Sequence, residues 1–316
     1  MAISLDDVLA AEKRLDGVVN LTPVFSSRRL NDIVGCEIVL KCESFQRTGA
    51  FKFRGAYNAI SSLPPERRAA GVVAYSSGNH AQGVALSAKL LGIPAVICMP
   101  TDAPDVKRQA TLDYGAEIVD FDRQTVDTDE VQARVARERG MTVIHPYDLP
   151  GIMAGQGTAA LELLRQAPGL DTLIAPVGGG GLLAGCAVAA KGIDPSIRVF
   201  GVETVGADDT KLSLAAGERV SIPPPTTIAD GIRLVTPGEL TFPILLEHLE
   251  DVLVVSDDDV LDALRFVLLR MKLVFEPSGA VALAAAMTGL VPANCRRVGI
   301  VVSGGNIDPA LLRTLW

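Results

Sequence analysis

Lys52 stands in Thr48-Gly49-Ala50-Phe51-Lys52-Phe53-Arg54-Gly55-Ala56, an amine framed by two phenylalanines where a loop gives way to a helix. Poor solvation disfavours the ammonium form and biases such a lysine toward the free amine, which attacks carbonyls and forms Schiff bases. A lysine that lays its stem along the rings and keeps its charge in water has the same local sequence. The rest of the chain therefore has to supply the context. Gly178, Gly179, Gly180 and Gly181 follow an apolar run ending Ala175-Pro176-Val177 and precede a helical segment that starts near Leu182. Glycines let backbone N–H groups converge on one concavity, and a helix N-terminus adds about half a positive charge, so a phosphate is stabilised there without a basic side chain. Tight strand-to-helix packing alone can also demand glycine.

Two polar loops complete the set. Ser76-Ser77-Gly78-Asn79-His80 follows the apolar run at Val72 to Tyr75, and Ser303-Gly304-Gly305-Asn306 follows Val298 to Val302. The C-terminal ends of strands are where open α/β sheets bind ligands, although Ser and Asn in such places are also ordinary helix caps. A Schiff-base lysine, a phosphate cradle and hydroxyl and amide loops suited to a polar aromatic ring are together what pyridoxal 5'-phosphate requires. A rival from another class uses the same glycines. Gly179-x-Gly181-x-x-Ala184 fits a dinucleotide fingerprint, with Glu203 at the end of the next strand as the ribose-binding acid. That nucleotide-binding reading leaves Lys52 and both polar loops without a role.

The elements that must position these groups read as α/β. Short β-branched runs at Glu37 to Lys41, Gly71 to Tyr75, Ala95 to Met99, Glu117 to Asp120, Thr142 to His145, Thr172 to Pro176, Arg198 to Glu203 and Val298 to Val302 predict strands. Helical segments lie between them. Ala81 to Leu91 is followed by Gly92, and Leu182 to Lys191 by Gly192, glycine in each case at the expected stop. Such alternation predicts parallel sheets with helices on both faces. The chain of 316 residues suggests about two domains at roughly 150 residues each. Turn chemistry at Pro64-Pro65 and from Pro146 to Gly151 places a small inserted α/β domain at 71–147, within a large one at 1–70 and 148–316.

A net charge of -8 without a long basic run argues against nucleic acid or an anionic membrane as partner. Five scattered cysteines and three histidines point to neither a disulfide framework nor a multi-histidine metal centre, and a reducing cytoplasm fits best. The acidic N-terminus is not an export signal, and the longest apolar stretch, near Ala280 to Val291, is shorter than the roughly 18 residues that span a bilayer. The expected partner is a small molecule.

Across nearly the whole chain the sequence resembles the fold-type II pyridoxal phosphate enzymes, which are tryptophan synthase β-like, and within them the serine racemase and serine/threonine dehydratase branch. The resemblance is carried by Glu43 to Ala56, Ser76 to Gly83, His145 with Ala154-Gly155-Gln156-Gly157-Thr158, Pro176 to Gly185, Gly201 to Asp209, Ile228 to Gly231, Met271 to Gly279 and Val302 to Asn306. It implies a cofactor in the cleft between the domains, joined to Lys52 as a Schiff base. Phe51 would lie against the ring, Asn79 on the ring hydroxyl, Gly178 to Gly181 on the phosphate and Ser303 at the pyridine nitrogen. It implies that Ser76, Ser77, Gly78, Asn79 and His80 bind the substrate, with its carboxylate at a helix N-terminus. Ser77 is where serine racemases and hydroxyaspartate dehydratases carry serine, poised to reprotonate Cα opposite Lys52. Glu203, Ala207 and Asp209 resemble a racemase-type divalent cation site, hard oxygen ligands for Mg or Ca.

The implied activity is an ammonia-lyase that converts L-serine, L-threonine or 3-hydroxyaspartate to a 2-oxo acid and ammonia. Serine racemisation by Lys52 and Ser77 is the alternative, and a homodimer is the expected assembly. Two departures stand out. Ala50 replaces a serine common among relatives, and Arg123 is the single candidate for an arginine found in racemases. Nothing resembling a regulatory amino-acid-binding domain follows Asn306, so feedback control is not expected.

Overall fold

The computed structural model describes residues 2–315 apart from 104, 123, 124 and 127. The expectation that rested on Arg123 therefore lies outside the described residues. Among the described residues ten strands form two sheets: Val24–Phe25 (β1), Glu37–Cys42 (β2), Val72–Tyr75 (β3), Ala95–Pro100 (β4), Glu117–Phe121 (β5), Thr142–Val143 (β6), Thr172–Pro176 (β7), Arg198–Thr204 (β8), Asp251–Val255 (β9) and Arg297–Val302 (β10). The larger sheet runs β1-β2-β10-β7-β8-β9 and the smaller β5-β4-β3-β6. All pairs are parallel except β1 with β2. The α/β reading with two parallel sheets holds.

Strand order decides which loops meet. The last strand, β10, sits between β2 and β7, with Ile300 opposite Leu40 on one side and Ile174 on the other. Parallel strands end at one edge, so Ser303 after β10 and the glycines after β7 emerge side by side. Leu40, Ile174 and Ile300 are buried in one apolar core with Phe200 and Phe275, and this burial holds the edge rigid. The smaller sheet does the same for the polar loop that follows β3, with Val72, Ala74 and Ile97 packed against the helices on its flank.

The helix Lys52–Ser61 is the bridge between the sheets, wedged between the helices Asn79–Leu91 and Pro150–Gln166. Glycines allow the approach. A Cβ on Gly155 would lie 2.7 Å from Gly55 Cα, and one on Gly83 would lie 3.2 Å from the Lys52 carbonyl carbon. Ala56, Ala59 and Ile60 of this helix belong to the core of the smaller sheet although they precede it in the chain.

Three details differ from the sequence reading. β1 and β9 were not anticipated, because two residues are too few to show a period and Asp251 to Val255 is an edge strand that the sequence reading left unassigned. The helix predicted from Ala81 starts at Asn79, so Asn79 and His80 occupy its first turn. Gly92 ends that helix in the left-handed conformation as expected, at φ 67, but Gly192 is no stop. Its helix runs Gly181–Ile193, and Gly192 instead makes room for Leu5, whose Cβ would be 2.8 Å from a Cβ there. Among the described residues no helix is long and apolar enough to cross a membrane.

Candidate active site

Phe51, Lys52, Ser76, Ser77, Gly78, Asn79, His80, Gly178, Gly179, Gly180, Gly181 and Ser303 all line one cavity of about 250 Å³. Residues spread over 253 positions of sequence are thus brought to the facing edges of the two sheets. Glu203, Ala207 and Asp209 form no part of its wall.

Lys52 opens its helix, and its Nζ donates to the Pro146 carbonyl oxygen at 2.8 Å and lies 5.2 Å from the Phe51 ring centroid. Enclosure by the cavity walls lowers its pKa from 10.5 to about 8, against a smaller opposing pull from the Glu276 carboxyl. Two residues on, the buried Arg54 fixes the helix. It pairs with Glu43 at 2.7 Å and with Glu162 at 2.7 Å, and Glu162 also takes Lys41 at 2.6 Å. Two cations face two anions, so no buried charge is left uncompensated, whereas removing one partner of such a group costs about 3–5 kcal/mol. Phe51 N donates to the Ser303 carbonyl oxygen at 3.0 Å, and Ala50 bridges Gly304, which stitches the segment before Lys52 to the end of β10.

The tetraglycine loop is shaped by more than anion binding. Gly180 has φ 89 and leads directly into the helix Gly181–Ile193, whose first N–H groups have no intrahelical partner. A Cβ on Gly178 would lie 3.0 Å from Ile232 Cα, and one on Gly181 would lie 2.9 Å from Tyr147. A Cβ on Gly179 would run into the Tyr147 ring itself. Thr241 Oγ1 donates to the Gly179 carbonyl oxygen at 2.6 Å, and Asp148 accepts the N–H groups of Glu239, Leu240 and Thr241 at 2.9–3.1 Å. Tyr147, Asp148 and Thr241 were absent from the sequence reading. A concave row of backbone amides at a helix N-terminus, in a cavity too tight for any side chain at these positions, fits a phosphate.

On the opposite side Ser76 Oγ accepts the Gly78 N–H at 3.0 Å and shapes the loop that holds Ser77. His80 Nε2 and the Ile144 carbonyl oxygen are 2.8 Å apart, so that nitrogen carries the proton, and burial lowers the imidazole pKa to about 3. His80 is neutral at physiological pH. Glu276, which sequence reading missed, lines the cavity and accepts from Asn79 Nδ2 at 2.7 Å. Burial raises its pKa to about 8, with Asp230 adding to the rise. Its one sequence signal is an acid placed just before Pro277 at the start of an Ala-rich buried helix. Lys107 and Asp230 also line the cavity, joined at 2.7 Å.

The predicted cation ligands lie elsewhere, at the end of β8. Glu203 accepts the Thr210 and Lys211 N–H groups at 3.0 and 2.9 Å, and both Glu203 and Asp209 are fully buried. Both Glu203 oxygens are thus taken by backbone amides, and Glu203 does not line the cavity that the glycine loop forms, where the ribose acid of a nucleotide site is required. Neither Asp209 carboxylate oxygen has a hydrogen-bond partner. Burial raises both acids, Asp209 to about 7 and Glu203 to about 8, the latter also pushed by Asp209. Two buried acids, one of them, Asp209, with both oxygens orphaned, fit a hard cation. Among the described residues no group of three or more His, Cys, Asp or Glu side chains is arranged for a metal.

Comparison with known proteins agrees with this geometry. The chain is 48% identical over 305 residues to an L-threo-3-hydroxyaspartate ammonia-lyase from a Pseudomonas species, covering 96% of each. It is 46% identical over 303 residues to the serine racemase of Schizosaccharomyces pombe, covering 96% of this chain and 94% of that one. The structure of maize serine racemase superposes with a TM-score of 0.96 at 43% identity, covering 99% of this chain and 97% of that one. Residues 15–304 match the family described as pyridoxal-phosphate dependent enzyme, and with the lysine, the glycine cradle and the polar loops in one cavity, the chain belongs to that family.

Proposed function

We propose that this enzyme is an ammonia-lyase that expels the β-hydroxyl of small β-hydroxy amino acids, L-serine, L-threonine and 3-hydroxyaspartate, as water, after which a water molecule replaces the amino group, releasing ammonia and leaving a 2-oxo acid. The observation that carries the reading is the Lys52 amine, enclosed in the same cavity as the Gly178–Gly181 cradle and Ser303. The bound pyridoxal phosphate supplies a conjugated ring that stabilises the negative charge left at the substrate Cα. The protein's residues divide the remaining work. The backbone amides of Gly178, Gly179, Gly180 and Gly181 would hold the phosphate, Phe51 would lie against the ring, and Asn79 would donate to its ring oxygen. Ser303, a neutral hydroxyl, would face the ring nitrogen and would not hold it protonated as a carboxylate would, which would favour expulsion of a β-substituent over prolonged charge delocalisation. Lys52 Nζ, as the free amine, would take the Cα proton.

The Ser76-Ser77-Gly78 loop and the first turn of the Asn79–Leu91 helix receive the substrate carboxylate, for which the unpartnered N–H groups of a helix N-terminus suit it. Ser77 supports a second reading. It lines the cavity with Lys52, and a hydroxyl there that delivers a proton to the other face of Cα makes the same site a serine racemase.

The acids Glu203 and Asp209, with the Ala207 carbonyl, would hold Mg or Ca, and its charge would fix the β8 end of the larger sheet. The segment 71–147 would act as a small domain against the rest, and two copies of the chain would form the working enzyme. One assay tests the reading: L-serine, L-threonine and L-threo-3-hydroxyaspartate are each incubated with cofactor-loaded protein, and 2-oxo acid, ammonia and D-serine are measured. Equal amounts of 2-oxo acid and ammonia from at least one substrate support the lyase. D-serine as the sole product from L-serine, with no 2-oxo acid from any substrate, supports the racemase.

A further inference from the structure

Asn306 closes the Ser303-Gly304-Gly305-Asn306 loop, yet it does not line the cavity. Its Nδ2 donates twice, to the Thr48 carbonyl oxygen at 2.7 Å and to Asn79 Oδ1 at 2.8 Å. Asn79 Nδ2 then donates to Glu276 Oε1 at 2.7 Å. A hydrogen-bonded row thus runs from the turn before Lys52, through two amides, to the buried acid beside the cavity.

The direction of this row is not free. A backbone carbonyl can only accept, so the end of Asn306 that faces Thr48 must be its NH₂ group. That group then meets Asn79, whose facing atom must accept, which leaves the Asn79 NH₂ for Glu276. One Asn79 hydrogen goes to Glu276, and the second remains for the cavity whose wall Asn79 forms. The chain accommodates the row at two glycines and one strained residue. A Cβ on Gly49 would lie 2.5 Å from Asn306 Oδ1, and one on Gly304 would collide with Glu276 Oε1. Thr48 has φ 61, in the region that disfavours a β-branched residue, and that conformation accompanies the carbonyl bonded to Asn306.

We infer that Asn306 is a positioning residue that fixes the polarity of the Asn79 amide, so that Asn79 presents an N–H and never its carbonyl oxygen to the ring oxygen of the cofactor. The inference rests on the proposed placement of Asn79 at that oxygen. An N–H there favours the ionised ring oxygen, which is the yellow form of the bound cofactor; a carbonyl there would favour the protonated oxygen, which absorbs in the near ultraviolet. Asn306 works through Asn79 and touches no reacting atom.

The test compares N306D and N306A with the wild type, each loaded with pyridoxal phosphate, by absorption spectrum across pH and by cofactor titration of the apoprotein. Asp at 306 sets an acceptor against both Thr48 and Asn79, and the second of these clashes is relieved when the Asn79 amide turns round. N306D should therefore move absorbance from the yellow band to the near-ultraviolet band and weaken cofactor binding about tenfold or more, while N306A, which only removes the donors, should weaken it less and shift the spectrum less. If N306D does not fold, a partial shift in N306A supports the inference. Wild-type spectra in both variants, or equal shifts in the two, would overturn it, because a loss of packing alone does not distinguish an acceptor from a methyl group. A wild type that takes up no cofactor and stays colourless would overturn the proposed function as well, and is distinguished by that colour.

Discussion

Lys52 Nζ and the Pro146 carbonyl oxygen are joined at 2.8 Å, so the amine is tethered to the loop that leads from β6 into the helix Pro150–Gln166. This contact points the amine into the cavity, and enclosure there brings its pKa down to about 8. Only the free amine captures an aldehyde. Capture of pyridoxal phosphate by the apoprotein should therefore speed up as pH rises and level off above about 8. Stopped-flow absorbance across pH checks this, and a rate still climbing toward 10.5, the ordinary lysine value, would contradict the burial argument.

Glu276 gives a stability prediction of opposite character. Its folded pKa is raised from 4.5 to about 8, so the folded state keeps a proton that the unfolded chain releases in that interval. More protons on the folded state mean that stability falls as pH rises through the window. The melting temperature of cofactor-free protein should drop more steeply between pH 4.5 and 8 in the wild type than in Glu276→Gln. Parallel curves would show that the acid is relieved by some other partner.

Asp209 carries the cation prediction. Its two oxygens are buried without partners, and a bound divalent ion would give them what the protein does not. Mg or Ca at a hundred times its dissociation constant should stabilise the protein by about 2.7 kcal/mol, visible as a higher melting temperature that chelation reverses. Asp209→Asn should remove that response. A wild-type melting temperature indifferent to both metal and chelator would leave the two acids as a protonated buried pair.

The chemistry-bearing groups were more legible than their supports. Lys52, the four glycines and the loops at Ser76 and Ser303 each sit at a strand end beside a helix start, and those boundaries have local signals. Tyr147, Asp148, Thr241 and Glu276 have none of comparable strength, because their roles arise only from packing across distant segments. Gly179 shows the difficulty. Its absence of a side chain reads as an anion cradle, yet the Tyr147 ring occupies the space that a side chain would take. Gly192 misled for the same reason, since a glycine that marks a helix end in sequence here makes room for Leu5. The edge strand β9 was lost among acidic residues that belong to the following helix Asp257–Phe266.

Ser77 separates the two proposed activities. Elimination from L-serine needs a base on one face of Cα, whereas racemisation also needs an acid on the other. Ser77→Ala should lower D-serine formation from L-serine at least about tenfold more than pyruvate formation, within the roughly 10²–10⁴-fold range of general acid–base effects. Proportional loss of both products would assign Ser77 to carboxylate binding alone.

The central claim is that Lys52 is the residue to which the cofactor is joined and the base that takes the Cα proton. Its most direct test is borohydride reduction of the cofactor-loaded protein followed by peptide mapping, run beside Lys52→Ala. The account predicts one pyridoxyl adduct per chain, on Lys52, with no adduct and no 2-oxo acid production in Lys52→Ala. An adduct on Lys107 or any other lysine in the wild type, or full turnover by Lys52→Ala, would contradict it.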